Sequence, residues 1–265
     1  MITHILLALL PLPNLSGAVD TVSAARVYAE DPAPVADKRP EVEEAVDAFK
    51  AHTDKKGSED REAIEIIDKK LIPEFKKSGP KDKDLIVKGL AKVFDLRRND
   101  EKEGVPNNGL FIAAATALGE MGPESTKLLV SAIDNKNLKK QMSVRSTLIR
   151  SLGKTRDVKG ALDPLIKLLQ DKDAVLVAAA GEALGEFADA DLAARKKGFE
   201  AMLKVVNAAK DSKDSDVNDT TARERYEAIA TALVSSLGKL AKLDERDPDK
   251  LRDWWNKNKN KNWDE

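Results

Sequence analysis

The chain has 265 residues, with 45 Lys and Arg against 46 Asp and Glu, and its formal net charge of -1 supplies no whole-molecule field to draw it onto nucleic acid or an anionic membrane. It has no cysteine and 2 histidines, which excludes disulfides, thiolate metal sites and thiol nucleophiles and leaves little for imidazole chemistry. Only 4% of residues are aromatic and 34% are charged, a composition that builds helices readily and strands poorly.

The chain starts with an apolar run, Ile5-Leu6-Leu7-Ala8-Leu9-Leu10, then Pro11, Pro13 and a stretch rich in small residues that closes on Val27-Tyr28-Ala29. Residues 1–29 therefore read as a cleaved export signal, which implies a periplasmic or extracellular protein, although the usual basic residues before the apolar run are missing. The apolar core is far too short to span a membrane, which takes ~20 residues. Residues 30–40, with Pro32, Pro34 and Pro40, read as a linker into a helical domain over 41–246.

Pro40 suits the first position of a helix that places Val42, Val46 and Phe49 on one face. His52 at its end reads as a solvated surface residue. A second helix carries Ile64, Ile67 and Leu71 and should bend or stop near Pro73 and Gly79-Pro80. A third is expected to start near Asp82 as its N-cap, with Ile86, Leu90, Val93 and Phe94 turned inward.

From here a phrase repeats: Ala117-Leu118-Gly119, Ser151-Leu152-Gly153, Ala183-Leu184-Gly185 and Ser236-Leu237-Gly238. The successive glycines stand 34, 32 and 53 residues apart, the last interval being one period plus an insertion. Gly89-Leu90-Ala91 reads as a degenerate earlier copy. Nine positions before each glycine lies an aliphatic residue, Leu110, Val144, Leu176 and Ile229, and four and five positions before it the residues are mostly small or aliphatic. Each of the first three copies is followed by a short polar turn and a second amphipathic stretch, carried by Leu128-Leu129, Leu165-Ile166 and Phe199 with Met202-Leu203. A helix–turn–helix unit of this kind cannot bury its apolar stripe alone, so neighbouring units must stack.

The phrase resembles HEAT repeats, in particular the bacterial phycobilin-lyase-like kind, in which a Val-Arg pair precedes small residues and Ala-Leu-Gly. Val144-Arg145 through Gly153 matches best; the corresponding Arg is replaced by Phe111, Val177 and Ala230 in the other copies. The resemblance covers about residues 82–240 and implies an all-α, α-α superhelix of the HEAT/armadillo type with about five helix pairs. It also implies a non-catalytic scaffold for an unidentified protein partner, with Arg145 as a candidate partner-binding residue.

Two segments stand outside the repeat. The stretch 211–219, acidic and polar, reads as a solvated, mobile loop; its alternating carboxylates invite calcium, but it lacks the glycine and glutamate of an EF-hand loop. Residues 247–265 hold all three tryptophans, Trp254, Trp255 and Trp263, behind Asp247-Pro248, a cap and first-turn pair for a short helix. They read as a terminal cap over the open end of the array, and as candidate partner-binding residues if the tail instead grips a protein groove or a cell-envelope glycan. No catalytic motif, cofactor-binding motif or metal-ligand set emerges. A bilin-lyase-type enzyme or accessory subunit, and a glycan-binding protein using the Trp-rich tail, remain the alternatives to the scaffold.

Overall fold

The computed structural model describes residues 37–97 and 107–264, all within the unit Pro34–Glu265. The leader expected over 1–29 and most of the linker fall outside the described residues. Among these residues there is no strand.

The first helix, α1 (Pro40–Thr53), starts on Pro40 and buries Val42, Ala45 and Phe49. The next is α2 (Asp60–Ile66), which continues through a π-helical turn, Ile67–Leu71, into α3 (Ile72–Lys77). The helix thus runs on past Pro73 and ends at the predicted Gly79-Pro80 break. Proline has no N–H to give and crowds the carbonyl four residues back; widening the preceding turn, so that the Ile72 N–H reaches the Ile67 carbonyl, accommodates it without breaking the helix.

Helix α4 (Pro80–Ala91) begins two residues before the expected cap, Asp82. Asp82 instead serves α1: its carboxylate accepts the Lys38 N–H at 2.8 Å and the Arg39 N–H at 3.2 Å, while Asp37 Oδ1 accepts the N–H groups of Lys81 and Asp82 at 3.0 and 3.3 Å. Each aspartate thus satisfies free donors at the start of the other's helix. Arg39 completes the joint, donating to Glu74 Oε2 at 2.9 Å and Ser78 Oγ at 2.7 Å. Residues 37–39, assigned to the linker, are pinned by these contacts. His52, expected to be solvated, is half-buried with Nδ1 2.8 Å from Glu59 Oε2.

The remaining helices are α5 (Gly109–Glu120), α6 (Thr126–Ile133), α7 (Met142–Lys154), α8 (Val158–Leu168), α9 (Ala174–Leu184), α10 (Leu192–Ser215), α11 (Thr220–Ala241) and α12 (Pro248–Asn258). They stack in two rows: α2, α5, α7, α9 and α11 in one, and α1, α4, α6, α8, α10 and α12 in the other. This is the expected α-α superhelix, with α1 preceding five pairs. Gly89-Leu90-Ala91 is not an early copy of the phrase, because α4 belongs to the second row, beside α1 and α6.

The phrase itself forms the seam of the first row. A Cβ added to Gly119 would lie 2.9 Å from Ser151 Cβ, one on Gly153 2.6 Å from Ala183 Cα, and one on Gly185 2.7 Å from Ser236 Oγ. The glycine of each copy thus receives the Ala or Ser of the next, so both positions must be small for the helices to close. The intervening Leu118, Leu152, Leu184 and Leu237 are all 0% exposed, as are Leu110, Val144, Leu176 and Ile229. Gly238, the last, faces no further helix; its missing Cβ admits the Leu243 carbonyl as the chain reverses through a left-handed Lys242, φ 56°.

The insertion in the last period lengthens α10 and α11 to 24 and 22 residues. The expected mobile loop 211–219 is therefore mostly ordered: residues 211–215 end α10, and Asp219 caps α11 by accepting the Ala222 N–H at 2.9 Å. A run of Lys and Asp with few breakers continues a helix whose other face is already packed.

Candidate functional site

Between the α6–α7 and α8–α9 loops lies an open cleft of about 830 Å³, joined to a second hollow of about 550 Å³ through Ile133, Asp134, Arg145 and Asp171, which line both. Both walls are built by contacts between successive pairs. The α6–α7 loop is shaped by Asn135, whose Oδ1 accepts the Asn137 N–H at 2.9 Å and whose Nδ2 donates to the Phe94 carbonyl, also at 2.9 Å. Leu138, 0% exposed, anchors the same loop in the core. With the backbone so held, Lys136, Lys139 and Lys140 are left exposed along the border.

The opposite wall is the α8–α9 loop. Asp171 Oδ1 accepts the Asp173 N–H at 2.9 Å, and Asp173 caps α9 through the Val175 N–H, also at 2.9 Å. Arg225 of α11 donates to the carbonyls of Lys172 and Asp171 at 2.8 and 3.1 Å. Arg145, the sequence-predicted residue, stands on α7 with its Nη2 3.8 Å from Asp171 Oδ2, an ion pair without a tight hydrogen bond. It bridges one pair to the next and lines both hollows.

The tryptophans are brought together elsewhere, at the end of the second row. Trp254, Trp255 and Trp263 surround Phe199 of α10 at centroid distances of 5.6, 5.3 and 5.5 Å, and Trp263 meets the other two at 5.0 and 5.9 Å. Each ring is thus partly covered by its neighbours, and Trp263 Nε1 donates to the Asn258 carbonyl at 3.0 Å. Asp247 caps α12 as expected, accepting the Asp249 N–H at 2.8 Å.

Arg195 holds this end together and is not evident in the repeat phrase. It is 2% exposed; Nε donates to the Leu240 carbonyl at 2.8 Å, Nη1 to both oxygens of Asp264 at 2.7 and 2.9 Å, and the guanidinium lies 5.6 Å from the centre of the Trp263 ring. Nη2 has no hydrogen-bond partner among the described residues, leaving the aromatic ring to stabilise that edge. The hydrogen bonds from Arg195, and then from Lys242, hold the Asp264 carboxyl below the usual carboxylate range. One signal for Arg195 was available: it shares the helical stripe of Phe199, Met202 and Val206, all 0% exposed, so a charge there had to be paired or covered.

The acidic stretch 211–219 gathers no ion site. Asp214 pairs with Lys210 and Lys213, Asp216 accepts the Asn218 N–H and Asp219 is a helix cap. No group of three or more His, Asp or Glu side chains among the described residues is placed to hold a metal. No helix among them is long and apolar enough to cross a membrane.

Residues 106–185, which include all of α5 to α9 and contain the three evenly spaced copies of the phrase, match the protein family described as HEAT repeats. That stretch carries HEAT repeats. The larger hollow and Arg145 lie within it, and the two long helices α10 and α11 and the tryptophan end follow the matched HEAT repeats. Among curated proteins, none matches this sequence.

Proposed function

We propose that this protein is a non-catalytic scaffold that receives a partner protein in the cleft between the α6–α7 and α8–α9 loops. The observation that carries this reading is the position and build of the cleft. It spans two successive HEAT repeats, and its walls are fixed in advance by Asn135, Arg145, Asp171 and Arg225, so little ordering is required when a partner docks. Stacked helical pairs characteristically present extended surfaces of this kind to other proteins.

Export completes the reading: the Ile5–Leu10 run followed by the small residues to Ala29 supports a periplasmic or extracellular site of action. The test is site-specific photo-crosslinking in the native host. A photo-reactive residue at Lys140, on the cleft border, is expected to form a discrete adduct with a protein, and one at exposed Glu44 on α1 is not. Equal capture at both positions, or none at Lys140, overturns the proposal.

A further inference from the structure

We infer that the cleft takes an extended acidic segment of its partner, an aliphatic or aromatic side chain flanked by carboxylates. This deepens the scaffold reading and rests on it. Five lysines border the two hollows: Lys136, Lys139 and Lys140 on the α6–α7 loop, Lys167 near the end of α8, and Lys172 in the α8–α9 loop. All five are exposed, and none pairs with a carboxylate among the described residues. Some surface lysines are neutralised locally, as Lys69 is by Glu65 at 2.9 Å, Lys88 by Asp84 at 2.7 Å and Lys83 by Glu124 at 3.0 Å, and others, such as Lys257, Lys259 and Lys261, pair with no carboxylate among the described residues; what sets the five apart is that they gather around two joined hollows.

The carboxylates inside the cleft do not cancel this border. Asp171 is turned onto Arg145 and the Asp173 N–H, Asp173 onto the first turn of α9, and Asp163, in the smaller hollow, pairs with Lys197, which leaves Asp134 as the lining carboxylate with no partner among the described residues. Apolar side chains lie between the lysines, beside these polar groups. Ile133 and Met142 contribute to the larger hollow and Val130, Pro164 and Leu168 to the smaller. A positive border around an apolar floor is complementary to a segment whose apolar residue is set among acidic ones. The hollows have the size to take a few side chains of an extended chain. Nucleic acid fits less well, because the lining contains no aromatic ring on which a base could stack, and its one arginine, Arg145, is already engaged by Asp171.

The experiment is a fluorescence-anisotropy titration of the full chain with three labelled ten-residue peptides sharing a central Leu-Phe pair and flanked by Glu, Gln or Lys, and with a single-stranded oligonucleotide of the same charge as the Glu peptide. The Glu peptide is expected to bind most tightly, to weaken with added salt, and to lose about tenfold in affinity in K136E/K139E/K140E. The same reversal at exposed Lys257, Lys259 and Lys261 is expected to leave binding unchanged. Circular dichroism checks that both variants fold. Equal binding of the three peptides, indifference to the cleft reversal, or tighter binding of the oligonucleotide overturns the inference. A display selection on the same protein separates it from the scaffold reading: cleft-dependent binders with a neutral or basic consensus overturn the acidic segment alone, whereas the absence of any cleft-dependent binder overturns both.

Discussion

Gly153 and Ala183 meet backbone to backbone: a Cβ on Gly153 would lie 2.6 Å from both the Cα and the carbonyl oxygen of Ala183. Neither atom belongs to a side chain that could rotate away. The G153A variant must therefore separate α7 from α9, and a loss of about 1–3 kcal/mol is expected from overpacking. Gly109 is the control, since its Cβ would meet nothing closer than Ile64 Cδ1 at 3.8 Å. Denaturant unfolding of G109A should show no loss, with a gain of up to about 0.5 kcal/mol from reduced freedom of the unfolded chain.

A second prediction concerns the joint at the start of the array. Asp82 is 2% exposed and accepts three donors, from the Lys38 and Arg39 backbones and the Arg39 side chain. D82A leaves them without their acceptor and should cost about 1–3 kcal/mol. Hydrogen exchange should report the loss first at the amides of α1 and α4, while those of α7 and α9 keep their protection.

How much of this was legible beforehand depended on sequence distance. The phrase glycines and the leucines between them could be read because each copy repeats one contact, so the pattern recurs along the chain. Asp82 resembled a cap for its own helix because local capping is the commoner use of an aspartate before an apolar run; its true partners are 43 and 44 residues away. The stretch 211–219 read as a loop from its polarity, yet packing of the preceding α10 turns carries the helix on. Arg145 was found through its family pattern. The lysines around it were not, since an exposed lysine looks the same in sequence whether or not a carboxylate faces it.

The tail should respond to acid. Asp264 is held below its ordinary value of 3.8 by hydrogen bonds from Arg195 and Lys242. A depressed carboxylate contributes stability that is fully present above its unfolded pKa and is lost as pH falls through the lower folded one. Tryptophan fluorescence is expected to show the tail loosening in that acid window, and in D264N the transition should vanish and the neutral-pH melting temperature fall.

The tryptophans are expected to act first as packing. W263A removes ring contacts to Phe199, Trp254 and Trp255 and uncovers Arg195, at a cost of about 1–3 kcal/mol. Truncation after Lys250 also removes Leu251, which is 0% exposed, and Asp264, and should lower stability further. Unchanged melting of both variants would mean that the tail is an arm for ligands and not the end of the array.

Partners are proposed to dock at the cleft in the HEAT repeats and not at the tryptophan end. Hydrogen–deuterium exchange of the full chain, with and without the partner captured at Lys140, tests it most directly. Protection on binding is expected across residues 133–142 and 170–173; protection confined to residues 251–264 would contradict the account.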